Sequence, residues 1–236
     1  MRNKQGEWLE HTFLNTDRDD ILVILGHGLT GNQDRELYTS LCQLLADRGW
    51  PTLRFSYSGH GNSEGNFKEM TITKEVDDLQ AILDQCKGTK KIAYIGHSMG
   101  AAVGTLTAAK DDRITLLASL AGMVHTKQFY DQEFSEQQPD HSLMWEKEEC
   151  PLSQTFKSDL YSIQTVIPAT KDVRLPWLFL HGSEDDVVLP HHSEDLFNAI
   201  RGKKKHIVYQ GINHQFDGHY TTVANDLDQW LTQYLK

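Results

Sequence analysis

Short, unbroken apolar runs alternate along most of this chain with segments whose apolar residues recur at helical spacing. The run Ile21 to Leu25 contains no polar residue and predicts a strand covered on both faces, as central strands of parallel sheets are. Other runs predict strands at Trp8 to Leu14 (an edge strand), Pro51 to Phe55, Ile92 to Ile95, Ile114 to Leu120, Trp177 to Leu180 and His206 to Tyr209. Helices are predicted at Arg35 to Arg48, Thr73 to Cys86 with Thr73 as N-cap, Ser193 to Ile200 and Tyr220 to Leu235.

This order of elements predicts an α/β fold, with an open and mostly parallel sheet that carries helices on both faces. Ligands bind at the carboxyl ends of the strands in such sheets, so the residues that follow each strand are the candidates for chemistry.

The alternation stops between residues 123 and 172. This segment mixes acids with six aromatic residues, namely Phe129, Tyr130, Phe134, Trp145, Phe156 and Tyr161. A segment this long and this aromatic predicts a folded insertion rather than a disordered linker. We therefore expect one domain over residues 1–236 with a lid at about 123–172, whose aromatic side chains either line a site for an apolar or aromatic group or only pack the lid onto the body.

Composition narrows the class of protein. The chain has 236 residues, of which 39% are hydrophobic, a share typical of a globular protein. Its formal net charge of −10 disfavours nucleic acid as a partner. No apolar run is long enough to span a membrane and the first ten residues do not resemble a secretion signal, so the expected location is the cytoplasm. The separated Cys42, Cys86 and Cys150 suggest neither disulfides nor a zinc site. Lys203 to Lys205 is expected in a solvated turn, and the oligomeric state stays open.

The sequence Gly96-His97-Ser98-Met99-Gly100 follows the predicted strand at Ile92 to Ile95 and precedes an alanine-rich, helix-prone run. A serine on such a sharp turn adopts a strained backbone, which is tolerated when glycines two residues before and after it remove side-chain crowding. Ser98 is therefore the candidate nucleophile.

A serine hydroxyl needs a base, and the base needs an orienting acid. Of the twelve histidines, His214 follows the last predicted strand on a loop, and His219 is the second candidate. His27, His60, His97 and His181, near strand ends, are expected to support loops, whereas His191 and His192 are expected to face solvent. The strand Trp177 to Leu180 opens into a loop with two candidate acids, Asp185 and Asp186.

In these motifs the chain resembles the α/β-hydrolases, and more narrowly the small serine esterases grouped with cinnamoyl and feruloyl esterases and with monoacylglycerol-lipase-like hydrolases. The matching residues are His27 to Gly31, Gly59 to Ser63, Gly96 to Gly100, His181-Gly182 with Asp185, and His214. The resemblance implies that Asp185 is the acid, although Asp186 stands where the family often has proline. It also implies an oxyanion hole from the backbone N–H groups of Leu29 and Met99, whose side chains would form apolar walls.

The resemblance and the residues together predict hydrolysis of a small carboxylic ester through an acyl-enzyme on Ser98, without a metal or organic cofactor. Acids in the lid would repel an anion, which favours a neutral ester. A peptidase or amidase would use the same three residues, and a lyase or C–C hydrolase would keep the histidine. A non-catalytic ligand-binding protein is the remaining alternative.

Overall fold

The computed structural model describes residues 1–86 and 88–236. Within these ranges the strands are β1 His11–Leu14, β2 Ile21–Gly26, β3 Thr52–Phe55, β4 Lys91–His97, β5 Ile114–Leu120, β6 Trp177–Gly182 and β7 Lys204–Tyr209. The α-helices are α1 Glu36–Ala46, α2 Ile72–Gln85, α3 Met99–Ala108, α4 Thr126–Phe134, α5 Gln154–Ile163, α6 His191–Ala199 and α7 Tyr220–Leu235. Short 3-10 turns lie at Phe67–Glu69, Met144–Glu146 and Ile167–Asp172.

The seven strands of the described part form one sheet in the order β1-β3-β2-β4-β5-β6-β7. Only the edge strand β1 is antiparallel to its neighbour; the other pairs are parallel, and their carboxyl ends therefore meet at one edge. The predicted α/β architecture is confirmed.

Alternate residues of each central strand pack into separate cores on the two faces of the sheet. In β4, Ile92 and Tyr94 join the core shared with α2, α3 and the lid helices α4 and α5. Ala93 and Ile95 point the other way, into the core shared with α1 and α7. Because both faces of β4 are covered, the residues that directly follow β4 lie in the interior of the molecule.

Two details of the predicted elements are wrong. Helix α2 starts at Ile72, and its N-cap is Thr71 rather than Thr73, because the Thr71 side chain accepts a hydrogen bond from the N–H of Lys74 at 2.9 Å. Lys204 and Lys205 belong to β7 rather than to a turn, and the Lys204 ammonium donates to the Ile200 carbonyl at the end of α6.

The lid, residues 123–172, is mainly helical. Helices α4 and α5 pack together, and four aromatic side chains of the lid are fully buried, namely Phe129, Tyr130, Phe134 and Phe156. These four rings therefore attach the lid to the body and to itself, which favours the packing interpretation for them. Trp145 and Tyr161, the other two aromatic residues of this segment, are half-buried.

No helix among the described residues combines the length and the apolar character that crossing a lipid bilayer requires.

Candidate active site

Ser98 lies between the end of β4 and the start of α3, in a strained backbone conformation with φ of 54° and ψ of −120°. Its N–H donates to the Leu120 carbonyl at 2.9 Å, and its own carbonyl accepts from Ala101 and Met123. These backbone hydrogen bonds fix the turn against β5. Strain of this kind persists only where the surroundings hold it in place.

The two flanking glycines are required by close backbone approach. A Cβ on Gly96 would lie 2.5 Å from the Gly100 carbonyl oxygen, and a Cβ on Gly100 would lie 2.5 Å from the His27 carbonyl oxygen. Gly28 of the loop after β2 is equally restricted, because a Cβ there would come within 2.8 Å of Ser98 Cβ. The spacing of glycines around Ser98 thus brings the loop after β2 into contact with the candidate nucleophile.

His214 and Asp185 meet at the carboxyl edge of the sheet. His214 Nδ1 lies 2.8 Å from Asp185 Oδ2, and both side chains are buried. Asp186 points away and is exposed. Of the two candidate acids that the sequence left open, Asp185 is therefore the one that contacts His214.

The carboxylate of Asp185 is surrounded by hydrogen-bond donors. Its Oδ1 accepts from the N–H groups of Val187 and Val188, and His181 Nε2 lies 3.0 Å from its Oδ2. Burial opposes ionisation, but the hydrogen bonds from His181 and His214 outweigh it and bring the pKa of Asp185 well below its ordinary value. An ionised carboxylate only accepts hydrogen bonds, so His214 Nδ1 carries the proton of this contact.

His97, the residue before the candidate nucleophile, links three loops. Its Nε2–H donates to the His214 carbonyl at 2.9 Å, which leaves Nδ1 to accept from the Tyr38 hydroxyl, also at 2.9 Å. The Tyr38 oxygen accepts in turn from the Gly28 N–H at 3.0 Å. Burial lowers the pKa of His97 to about 3, so the ring is neutral and can accept and donate in this way.

The sequence predicted a loop-supporting role for His97 but gave no sign of Tyr38. Tyr38 lies in α1, where the sequence indicates only an ordinary core residue. Only its contact with His97, 59 residues further along the chain, shows its place in the site.

The two backbone groups expected to form an oxyanion hole are both at the site. Among the described residues, neither the Leu29 N–H nor the Met99 N–H has a protein acceptor, which leaves both free for a ligand. Their side chains differ from expectation in one respect. Leu29 lines the cavity described next, whereas Met99 is fully buried in the core and forms no wall of it.

A cavity of about 230 Å³ opens at this edge of the sheet. Ser98 and His214 both line it, together with Leu29, Trp145, Val187 and the charged side chains of Arg35 and Lys147. No hydrogen bond joins the Ser98 hydroxyl to the His214 ring in the described chain; such contacts often tighten only when substrate binds. The cavity brings Ser98, the imidazole of His214 and Leu29 around one space, and the free N–H of Met99 belongs to the residue that follows Ser98.

The remaining histidines are not part of this arrangement. His219 is exposed at the start of α7, outside the lining of the cavity. The expectation that His192 faces solvent is wrong: it is buried, and its Nδ1 accepts from the N–H of Val124 at 3.0 Å. This ring, on the first turn of α6, gives the buried N–H of Val124 an acceptor.

The structure gives no indication of a metal centre. Across residues 1–86 and 88–236, no three His, Cys, Asp or Glu side chains converge in a way that could hold an ion. The three cysteines are free, and burial raises the pKa of Cys42 and Cys150 to about 11, so neither thiol is a nucleophile near neutral pH.

Comparison with known protein families now adds to this geometry. The family model described as "alpha/beta hydrolase fold" matches residues 21–149, more than half of the chain. The chain belongs to the α/β-hydrolase family. A second family model, "Serine aminopeptidase, S33", matches residues 128–217 of this α/β hydrolase.

Esterases and lipases are among the proteins that this α/β hydrolase resembles. Lysophosphatidylserine lipase ABHD12 from Danio rerio is 29% identical over 102 residues, which cover 43% of this chain and 26% of the lipase. The chain spans between 26% and 62% of the length of the first curated relatives it matches.

Two solved structures share the fold over almost the whole chain. Est1E from Butyrivibrio proteoclasticus, with bound ferulic acid, has a TM-score of 0.85 at 22% identity and covers 98% of this chain and 96% of its own. The monoacylglycerol lipase of Paleococcus ferrophilus has a TM-score of 0.78 at 18% identity, covering 96% and 99%. At these identities the likeness establishes the fold.

Proposed function

We propose that this α/β hydrolase is a serine esterase, with Ser98 as nucleophile, His214 as general base and Asp185 as the acid that orients it. The observation that carries the proposal is the buried pair of His214 Nδ1 and Asp185 Oδ2, 2.8 Å apart, in which His214 lines the same cavity as the strained turn at Ser98. This pairing leaves the second imidazole nitrogen available to take a proton.

In the proposed reaction, Ser98 Oγ attacks the ester carbonyl carbon while His214 Nε2 accepts the hydroxyl proton. The carbonyl oxygen becomes negative in the tetrahedral intermediate and accepts hydrogen bonds from the Leu29 and Met99 N–H groups. His214 then returns the proton to the departing alcohol, which leaves an acyl group on Ser98. Water repeats the sequence and releases the acid.

The substrate is proposed to be a small carboxylic ester. A cavity of about 230 Å³ has room for a short acyl or aromatic group, and Leu29, Trp145 and Val187 give it an apolar side. The expectation of a neutral ester came from acids in the lid, but no acidic residue of the described ranges lines the cavity. The proposal therefore rests on apolar contact and not on the charge of the lid.

The decisive experiment compares wild type with Ser98→Ala. We expect wild type to react with a fluorophosphonate and to hydrolyse short-chain 4-nitrophenyl esters, whereas Ser98→Ala takes up no label and loses about 10⁴-fold in kcat or more. Ser40→Ala, on α1 and outside the cavity lining, is the matched control and keeps both properties. Labelling that persists in Ser98→Ala would place the nucleophile elsewhere.

An amidase or peptidase is the second candidate, because the family model for serine aminopeptidases matches residues 128–217. The same three side chains would attack an amide, whose amine leaves less readily than an alcohol and depends more on protonation by His214. Matched 4-nitrophenyl acetate and 4-nitroacetanilide, followed by 4-nitrophenyl butyrate and amino-acid 4-nitroanilides, separate the two. A higher kcat/KM for the amide in either series would replace the esterase proposal.

A further inference from the structure

The charged side chains that line the cavity are both cationic. Arg35 and Lys147 contribute to its wall, and no aspartate or glutamate among the residues that the structure describes does so. The chain as a whole carries a net charge of −10, so this local excess is opposite in sign to the rest of the molecule. In a partly enclosed space, two positive charges raise the local concentration of anionic ligands.

Both cations converge on one residue beside the proposed oxyanion hole. Lys147 Nζ donates to Thr30 Oγ1 at 2.9 Å, and Arg35 Nη2 donates to the Thr30 carbonyl at 2.9 Å. Thr30 directly follows Leu29, and its positive φ of 56° belongs to the same tight turn. The two positive groups therefore flank the space next to the ester carbonyl, one from the lid and one from the body.

Within the described chain, Arg35 and Lys147 also have N–H donors that bind no protein acceptor. Among the described residues, neither Arg35 nor Lys147 lies within 4.0 Å of a carboxylate oxygen. An ammonium has three donors and a guanidinium five, and each uses one on Thr30. The Lys147 ammonium is also positioned 5.7 Å from the centre of the Trp145 ring. Unpaired donors at fixed positions are suited to a carboxylate or phosphate.

We propose that the substrate of this enzyme carries an anionic group, a carboxylate or a phosphate, in addition to the ester that is cleaved, and that this group binds between Arg35 and Lys147. The inference rests on the proposed esterase function and specifies its substrate class. The inference replaces the sequence-based expectation of a neutral ester. The acidic residues of the lid lie outside the lining of the cavity, whereas Arg35 and Lys147 are part of it.

The first test uses pairs of esters in which a free carboxylate is compared with its methyl ester. 4-Acetoxybenzoate and its methyl ester place the anion on the alcohol side, mono-4-nitrophenyl adipate and its methyl ester place it on the acyl side, and 4-acetoxyphenyl phosphate replaces carboxylate by phosphate. For wild type at low ionic strength we expect the anionic member of at least one pair to have a kcat/KM about tenfold higher, because the two cations attract an anionic group and not its methyl ester. The preference shrinks as salt is added.

The second test removes the cations one at a time. Lys147→Met keeps most of the side-chain volume and lacks the charge, so we expect the ratio of anionic to neutral kcat/KM to fall about tenfold, mainly through KM. Arg35→Gln lowers the ratio in the same direction, and Lys147→Arg restores it in part. Lys157→Met is the matched control: this lid lysine also lies over aromatic rings, those of Tyr130 and Tyr161, but does not line the cavity.

The outcomes separate this inference from the proposed function. If Ser98→Ala abolishes hydrolysis of the neutral esters but wild type shows no preference for any anionic ester, the substrate class is wrong and the esterase assignment stands. An unchanged ratio in Lys147→Met and Arg35→Gln also overturns the inference. If Ser98→Ala keeps its activity, the proposed function itself fails.

Discussion

The turn at Ser98 and the lid both contribute residues to the cavity, yet different interactions stabilise them. The turn is fixed by backbone contacts, with glycines at positions 96 and 100 where a Cβ would collide with a carbonyl oxygen. The lid is fixed by side chains, chiefly four buried aromatic rings, and its backbone is irregular where Trp145 and Glu146 have positive φ. The turn at Ser98 is specified by the lack of space for a Cβ at its glycines, whereas the lid is specified by buried aromatic side chains that fill the core.

We infer that this difference separates the proposed chemistry from the proposed selectivity within the molecule. Contacts that tolerate almost no change position Ser98, His214 and the free N–H groups, whereas packed side chains can be exchanged when their total volume is kept. Trp145 and Lys147 are presented to the cavity by the more exchangeable region. We therefore expect substitutions around the turn to abolish activity or folding, and substitutions in the lid to change which ester is used.

The largest expected effect is at the acid. In the proposed triad, Asp185→Asn replaces the carboxylate that fixes the proton of His214 on Nδ1, and we expect kcat to fall about 10⁴-fold, as it does for the equivalent change in a known serine protease. The exposed neighbour provides the control, since Asp186→Asn is expected to stay within about threefold of wild type. Steady-state kinetics with one 4-nitrophenyl ester measures both. Equal losses at the two positions would contradict the assignment of Asp185.

The next effect distinguishes two aromatic residues of the lid. Phe156 is fully buried, so Phe156→Ala is expected to reduce the free energy of unfolding by about 4 kcal/mol. Trp145→Ala empties part of the cavity wall instead, and we expect KM for aromatic esters to rise about tenfold with a smaller change in stability. Urea unfolding and ester kinetics on both variants test this. A large stability loss without a KM effect in Trp145→Ala would make that ring a packing residue as well.

A smaller effect is expected from a single methyl group beside the turn. Gly100→Ala places a Cβ 2.5 Å from the His27 carbonyl oxygen, and the overpacking should cost about 3 kcal/mol of unfolding free energy. Gly49→Ala is the control: its φ of +86° is unfavourable for alanine, but no atom lies within 4 Å, so about 1 kcal/mol is expected. Denaturant titration of the two variants gives the difference. Equal costs would show that the backbone can move away from the added methyl.

The smallest effect concerns pH and compares one histidine from each region. Burial lowers the pKa of His97, beside Ser98, and of His192, beneath the start of the lid, to about 3 in both cases, from 6.5. Between these values the unfolded chain binds a proton that the folded chain does not, so stability falls as the pH is lowered from 6.5, by about 1.4 kcal/mol per pH unit for each ring.

Replacing His192 by Asn should therefore reduce the slope of stability against pH by about 1.4 kcal/mol per unit between pH 6 and 4, and His97→Asn should do the same. Urea unfolding at pH 7, 6, 5 and 4 measures the slopes. Curves parallel to wild type would mean that these rings become protonated in the folded state without penalty.

The sequence predicted the body well because its elements follow local rules. Strand β5 and helix α7 have the predicted bounds, Ile114–Leu120 and Tyr220–Leu235, since continuous apolar runs and helical spacing are properties of neighbouring residues. The glycines around Ser98 and the strand-end position of His214 follow from equally local patterns. The meeting of His214 with Asp185 is observed, and the catalytic roles of the residues stay predictions.

What the sequence could not provide depends on contacts between distant segments. The burial of His192, the bridge from Tyr38 to His97 and the approach of Lys147 to Thr30 each join residues more than 55 positions apart. The excess of acidic residues in the lid sequence gave no indication that Lys147 of the same segment lines the cavity. Composition describes a segment as a whole, whereas the charge that a ligand meets depends on which side chains turn inward.

The hydrogen bond from His97 to the backbone of residue 214 bears on how a bound ester can be observed. The acceptor is a carbonyl oxygen, which any amino acid at position 214 supplies. His214→Ala therefore removes the imidazole while its loop stays anchored to the strand that carries Ser98. Such a protein would bind ester without turning it over, and crystals of it soaked with intact ester would image the bound molecule in an otherwise unaltered site.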